Sequence, residues 1–122
     1  MNAGDTFIPA RFDNHLWVIV SDPAKDVANV VISNFTTFDG TEEESCVVNN
    51  GEHPFVRHKT VVRYRDAKTV SANDLKTLVK KGQLKPHMPL SAEILDRVRQ
   101  GAGQSDFLPE QCRKILSNQG LI

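Results

Sequence analysis

Four kinds of side chain in this sequence could act together on a phosphodiester: threonine hydroxyls, imidazoles, lysine ammonium groups and arginine guanidinium groups. Thr36 and Thr37 end one apolar run, and His58-Lys59-Thr60 opens another. Arg63 and Arg65 are two residues apart, so on a strand they share one face. The ribose 2′-OH of RNA can attack the adjacent phosphorus if one group accepts its proton, another protonates the leaving oxygen, and cations stabilise the added charge. Histidine, lysine and arginine can fill these roles.

The same residues also have a structural interpretation. Thr36 and Thr37 are β-formers that suit a strand end, and Arg63 and Arg65 suit a solvent-facing strand surface. His53 could likewise transfer protons, or it could pack and hydrogen-bond at the start of a strand. The residue types alone leave both interpretations open.

The sequence lacks the motifs of a metal site, of a nucleophilic serine and of a phosphate-binding loop. His53 and His58 are five residues apart, so on an extended chain they face opposite sides, and no Asp or Cys lies at a ligand spacing nearby. No Gly-x-Ser-x-Gly elbow is present, and Gly101-x-Gly103 lacks the third glycine and the lysine of a phosphate loop. The run Glu42-Glu43-Glu44 is typical of a solvated connector. We therefore predict neither a metal nor a cofactor.

Charge is distributed unevenly along a chain whose net charge is zero. Residues 1–56 hold two basic and nine acidic groups, whereas residues 57–122 hold thirteen basic and six acidic groups. Most of the positive excess lies in 57–85, where nine basic residues meet only Asp66 and Asp74. This stretch could contact phosphates, or it could form solvated faces that the acidic half neutralises across the fold.

Short β-branched and aromatic runs, separated by turn residues such as Asn50-Gly51, fill the chain up to about residue 70. These runs are Thr6–Ile8, His15–Ser21, Asn29–Phe35, Cys46–Val48, Thr60–Tyr64 and Lys68–Val70. Five or six strands of this length are most easily buried by closing into a small β-barrel without exposed edges.

Helical periodicity replaces the strand pattern after residue 70, with capping hydroxyls before two of the helices and glycines after them. The predicted helices run over 72–81, from the cap Ser91 to Gly101-Ala102-Gly103, and from Pro109 to about Ser117. Between the first two, Lys85–Pro89 is predicted to be a linker. We therefore expect an α+β fold in one domain, 1–122, with a β-barrel core over 4–70 and a helical C-terminal part over 71–122.

Length and hydropathy favour a single soluble domain. The chain has 122 residues, of which 39% are hydrophobic. Its longest apolar run, Leu16–Val20, is far shorter than the roughly 20 residues of a membrane-spanning helix, and the N-terminus lacks a basic-then-apolar signal. Cys46 and Cys112 are too few for a disulfide framework. We predict a cytoplasmic protein without membrane contact.

The order of the apolar runs forms a wider pattern. Its parts are Gly4-Asp5, Leu16–Val20 followed by Ser21-Asp22, Val30–Ile32 running into Phe35-Thr36-Thr37, Lys59–Val62, and Ala67–Val70 before a helix. This pattern, over about residues 4–82, resembles the PemK/MazF family of toxin-antitoxin ribonucleases. The resemblance implies an SH3-like barrel with added helices and a homodimer. It also implies metal-independent cleavage of single-stranded RNA and inhibition by an antitoxin protein.

The resemblance assigns roles to a few residues. Thr36 matches the family's threonine or serine at the end of the third strand, and Thr37 follows as a second hydroxyl. The family's arginine before the second apolar strand falls near Asn14 or His15, and neither is arginine. On this alignment, His15 takes over as an acid or base, or Arg11 reaches in from the first loop, or the chemistry is lost while the shape is kept.

Two interpretations from different classes follow. The first is an endoribonuclease with a hydroxyl and an imidazole beside the scissile phosphate and cations around it. Its catalytic candidates are Thr36, His15, His58 and Arg11, and its RNA-binding candidates are Thr37, Lys59, Arg63, Arg65 and Phe38. The second is a non-catalytic barrel that binds RNA, or a protein segment added to a sheet edge or groove.

Overall fold

A computed structural model describes residues 1–11 and 13–122. The described part of the chain is an α+β fold of six strands and three helices. The strands are β1 (Thr6–Pro9), β2 (Trp17–Ile19), β3 (Val30–Thr37), β4 (Val47–Val48), β5 (Thr60–Val70) and β6 (Leu84–His87). The helices are α1 (Ala72–Lys80), α2 (Ala92–Gln104) and α3 (Glu110–Asn118).

All six strands belong to one antiparallel sheet in the order β4-β5-β3-β2-β1-β6. Across the described residues, no ladder joins β4 to β6, so the sheet is open and the predicted closure into a barrel is not confirmed. Closure was expected because it would bury the strands. Here helices cover both faces of the sheet, so the strands are buried without it.

Two apolar clusters lie on opposite faces of the sheet, and the Leu16–Val20 run serves both. Leu16, Val18 and Val20 pack in the larger cluster, which includes residues of α2 and α3. Trp17 and Ile19 pack in the second, which includes Leu75 of α1. Alternate side chains of one strand point to opposite faces. An unbroken apolar run is therefore what a strand covered on both sides requires.

Two of the predicted element boundaries are wrong for tertiary reasons. The linker predicted over 85–89 begins as strand β6, which pairs with β1 over Thr6–Pro9. The two predicted strands after residue 59 form the single strand β5, which follows β3 along its length with a register shift between Ile32 and Asn34. Local patterns do not report either pairing, because both depend on distant partners.

The sequence predicts that helix α2 ends at Gly101-Ala102-Gly103, but the helix continues to Gln104. Gly101 is buried, and a Cβ added to it would lie 2.3 Å from Oη of Tyr64 and 2.7 Å from the carbonyl oxygen of Ser45. The Tyr64 hydroxyl donates a hydrogen bond of 2.6 Å to the carbonyl of Val98 in the same helix. Gly101 is thus needed for close packing of α2 on β5.

The predicted helix starts are confirmed where a serine caps them. The Ser71 hydroxyl accepts from the N–H of Asp74 at 3.0 Å, and the Ser91 hydroxyl accepts from the N–H of Ile94 at 3.2 Å. Each bond satisfies a backbone donor of a first turn that has no partner within the helix. Within the described ranges, no helix has the length and apolarity needed to cross a bilayer.

Candidate functional site

A cleft of about 360 Å³ lies where β3 ends and β5 begins. The strand register sets its floor, because Thr37 pairs with Thr60 at this end of the ladder. Two loops complete the walls, one leading into β2 and one leading into β5. The lining residues are Asn14, His15, Phe35, Thr36, Thr37, Phe55, Arg57, His58 and Thr60.

A hydrogen bond of the imidazole ring holds His15 in the cleft. Its Nδ1 lies 3.0 Å from the carbonyl oxygen of Phe35. A carbonyl can only accept, so Nδ1 carries a proton, and in the neutral imidazole Nε2 holds the lone pair. A histidine with one nitrogen fixed to the backbone and the other unprotonated has the arrangement of an oriented general base.

The backbone that carries His15 is fixed by Asp13. One carboxylate oxygen of Asp13 accepts from the His15 N–H at 2.7 Å, and the other accepts from Nε1 of Trp17 at 2.9 Å. Trp17 is buried in the second apolar cluster. The loop is therefore anchored to the core on both sides of the histidine, which limits the positions that the imidazole can reach.

His58 and Arg57 approach the cleft from the loop before β5. Both are exposed, and the carbonyl of His58 accepts from the Thr60 hydroxyl at 2.9 Å. Among the described residues, Arg57 makes no ion pair, so its guanidinium is available to an anion in the cleft. Thr36 is half-buried, Thr37 is exposed, and both residues line the hollow.

The predicted RNA-binding arginines lie elsewhere, in a carboxylate-paired cluster formed by Glu42, Arg63, Arg65 and Asp66. The side chain of Glu42 is only 8% exposed and lies 3.6 Å from Arg63 and 3.3 Å from Arg65. Arg63 also lies 3.6 Å from Asp66. The two arginines share one strand face, as predicted, but their charges are opposed by carboxylates.

Lys59 and Phe38 contact each other outside the cleft lining. Lys59 forms an ion pair with Glu44, and its Nζ lies 4.0 Å from the centroid of the Phe38 ring. This cation–π contact covers one face of the ring. Arg11 lines a different hollow, with Lys81 and Gln83 beside the end of α1. The structure does not bring these three candidates to the cleft.

The structure thus gathers four of the nominated residues, His15, Thr36, Thr37 and His58, in one hollow. Arg57, Asn14 and Phe55 also line the cleft, although none of them is among the predicted site residues. Arg57 was visible only as one of nine basic residues, and its place beside His58 was the one signal that could have separated it from the others. Among the described residues, no cluster of three or more His, Cys, Asp or Glu side chains could hold a metal ion.

Comparison with protein-family models, with curated proteins and with solved structures finds no match to this chain. The PemK/MazF resemblance therefore stays a prediction from the sequence pattern.

Proposed function

We propose that this protein is a metal-independent endoribonuclease of the PemK/MazF type, which cleaves single-stranded RNA by attack of the 2′-OH on the adjacent phosphorus. The observation that carries the proposal is the oriented imidazole of His15. Its Nδ1 is bound to the Phe35 carbonyl, so its Nε2 is left as the proton acceptor in a cleft that also contains His58, Thr36 and Arg57.

In the first step, Nε2 of His15 accepts the proton of the ribose 2′-OH as that oxygen attacks phosphorus. The hydrogen bond from Nδ1 to the Phe35 carbonyl stabilises the imidazolium that forms, because a charged donor strengthens the bond. Asp13 accepts a hydrogen bond from the backbone N–H of His15, so the residue is positioned before RNA binds. Ordering the side chain for the reaction therefore costs less free energy.

In the second half of the reaction, protonated His58 donates a proton to the departing 5′-oxygen. Arg57 and the hydroxyls of Thr36 and Thr37 stabilise the charge that develops on the non-bridging oxygens. The bond from phosphorus to the 5′-oxygen breaks, which leaves a 2′,3′-cyclic phosphate on one fragment and a 5′-OH on the other. Water is not needed for this cleavage, since the nucleophile is part of the substrate.

The proposal also takes several elements from the family resemblance. These are the role of a toxin-antitoxin toxin in the cytoplasm, an antitoxin protein that inhibits it, a homodimer, and an SH3-like arrangement of the strands. None of them enters the chemical argument, which depends on the ends of β3 and β5 and the two adjoining loops.

Expression in bacteria tests the proposal. The parent chain should arrest growth, and Thr36→Ala and His58→Ala should relieve the arrest. Thr77→Ala and Gln111→Ala are controls, because both residues are exposed and lie outside the cleft. Circular dichroism of the purified variants must show an unchanged fold. Equal toxicity from the parent and both cleft variants would remove Thr36 and His58 from the mechanism.

A second candidate function is a non-catalytic binding module, and one observation favours it. A groove of about 480 Å³ between α1 and β6 has Phe7, Val79 and Pro86 in its walls and Lys76 and Lys80 at its side. Neither lysine forms an ion pair among the described residues. Recovery of intact RNA that binds with a steep salt dependence, with no arrest of growth, would favour this function over cleavage.

A further inference from the structure

The loop between β4 and β5, residues 49–59, contains a buried imidazole that the proposed reaction does not use. His53 is only 5% exposed. Its Nε2 lies 2.7 Å from the carbonyl oxygen of Met88, and its Nδ1 lies 3.1 Å from the backbone nitrogen of Phe55. One side chain therefore connects this loop to the segment that follows β6.

The two contacts define the protonation state of His53. The Phe55 N–H can only donate, so Nδ1 must be unprotonated, and the Met88 carbonyl can only accept, so Nε2 must carry the proton. Only the neutral Nε2–H tautomer satisfies both partners. A buried imidazole used in this way is removed from proton transfer, in contrast to His15, whose Nε2 makes no hydrogen bond to the described residues.

The anchor that His53 contacts is itself firmly held. The Met88 carbonyl also accepts from the Thr6 hydroxyl at 2.8 Å, and the N–H of Leu90 donates to the carbonyl of Gly4 at 2.9 Å. Met88 is thus tied to the start of β1. The hydrogen bond from His53 to the Met88 carbonyl therefore fixes loop 49–59 to this segment.

A backbone hydrogen bond also joins His53 to another residue of the same loop. The N–H of Val56 donates to the His53 carbonyl at 2.9 Å, and Val56 is buried in the larger apolar cluster. Arg57 and His58 follow directly after Val56. A shift of the loop at His53 would therefore displace Arg57 and His58, two of the three residues that the loop contributes to the cleft.

We propose that His53, as its neutral Nε2–H tautomer, is the positioning residue that fixes loop 49–59 on Met88 and thereby places Arg57 and His58 in the cleft. The consequence for catalysis rests on the proposed ribonuclease function. The tautomer and the anchoring of the loop do not depend on that function and can be measured without RNA.

Nitrogen-15 NMR of the labelled full chain at neutral pH tests the anchor directly. We expect a protonated Nε2 and an unprotonated Nδ1 for His53. In His53→Ala, the amide signals of residues 55–58 should shift, while those of Val98 and Leu116 in the helices should stay in place. An Nδ1–H tautomer, an imidazolium, or unchanged amide signals in the loop would overturn the proposal.

RNA cleavage by the same variants tests the positioning role. His53→Ala should lower kcat roughly 10- to 100-fold, because small displacements of catalytic groups are costly, and should change KM much less. His53→Gln should recover most of the loss, since its amide N–H can donate to the Met88 carbonyl without titrating. Thr77→Ala is the control, because Thr77 is exposed on α1 and lies outside the cleft.

The outcomes separate the two proposals. An unchanged kcat in a folded His53→Ala would overturn the positioning role. If the parent cleaves no RNA, the ribonuclease function fails, while the tautomer and the loop signals still decide whether His53 is the anchor. If His53→Ala does not fold, the tautomer in the parent and the loop signals of His53→Gln carry the test.

Discussion

The cleft lies where β3 ends and β5 begins, and the carboxylate-paired cluster lies further along β5, where the loop after β3 meets it. The two regions differ in whether their cations are paired. In the cluster, Glu42 and Asp66 oppose the guanidinium groups of Arg63 and Arg65. In the cleft, Arg57 has no such partner among the described residues. A cation that is already paired has less to offer an incoming phosphate. The number of basic residues therefore predicts less about function than their pairing does.

Removing the oriented imidazole of His15 should have the largest effect on the rate of RNA cleavage. We expect His15→Ala to slow RNA cleavage by about 10²- to 10⁴-fold, the range associated with general acid–base catalysis. Single-turnover rates on a short single-stranded RNA would measure it. The control is Thr77→Ala, which should cleave at the parent's rate. A His15→Ala rate equal to that of the parent would exclude His15 as the base.

Arginine substitutions compare the two regions directly. Arg57→Ala should lower kcat about 100-fold, since it removes a donor to the charge that develops at phosphorus. Arg63→Ala should change kcat far less. It should instead lower the free energy of unfolding by about 1 kcal/mol, because Glu42 and Asp66 lose a partner at a partly exposed site.

Steady-state kinetics and urea unfolding would measure these two effects. The opposite order of effects, with Arg63→Ala the slower enzyme, would move the phosphate site from the cleft to the carboxylate-paired cluster.

Releasing a paired arginine should sharpen the contrast further. Glu42→Gln removes the carboxylate that both Arg63 and Arg65 contact. Arg63 keeps Asp66 as a partner, whereas Arg65 loses the one carboxylate that it contacts among the described residues. One more cation then becomes available to phosphates, and the slope of log K against log salt for single-stranded RNA should steepen by about 0.7. Fluorescence anisotropy over a salt series would measure the slope. An unchanged slope would mean that Arg65 stays withdrawn from RNA even without its partner.

A smaller effect concerns the stability of loop 49–59 in acid. The pKa of Glu52 lies below its ordinary value of 4.5, because the Asn49 N–H and Arg97 hydrogen-bond its carboxylate. A depressed pKa stabilises the fold above 4.5, and this contribution is lost as the pH falls through the folded-state value. Glu52→Gln should therefore lower Tm slightly at pH 7. The difference should disappear well below pH 4.5. A difference that persists in acid would assign the effect to shape instead of charge.

Local signals in the sequence were sufficient for the elements whose causes are local. Ser71 and Ser91 mark helix starts because a capping hydroxyl acts within three residues. Strand β6 was missed because Lys85-Pro86-His87 reads as a linker, and only its pairing with β1 makes it a strand. Gly101 was read as a stop signal, although the reason for it is the Tyr64 hydroxyl on another element.

The same distinction applies to the site. Thr36 and His58 were nominated from residue type and position, and His15 from the family resemblance. The end of β3 and the loops before β2 and β5 do bring all three into one cleft. The pairing of Arg63 with Glu42 could not be foreseen, since it depends on how the loop after β3 folds back on β5. Nor could the sequence say which nitrogen of His15 is free, because that depends on the Phe35 carbonyl.

The most direct test of cleavage is the chemistry of the RNA ends. The purified parent, incubated with single-stranded RNA in the presence of EDTA, should produce fragments with 2′,3′-cyclic phosphate and 5′-OH ends by mass spectrometry, and His15→Ala should not. Intact RNA with a folded parent protein, or fragments with 3′-OH and 5′-phosphate ends, would contradict 2′-OH attack in this cleft.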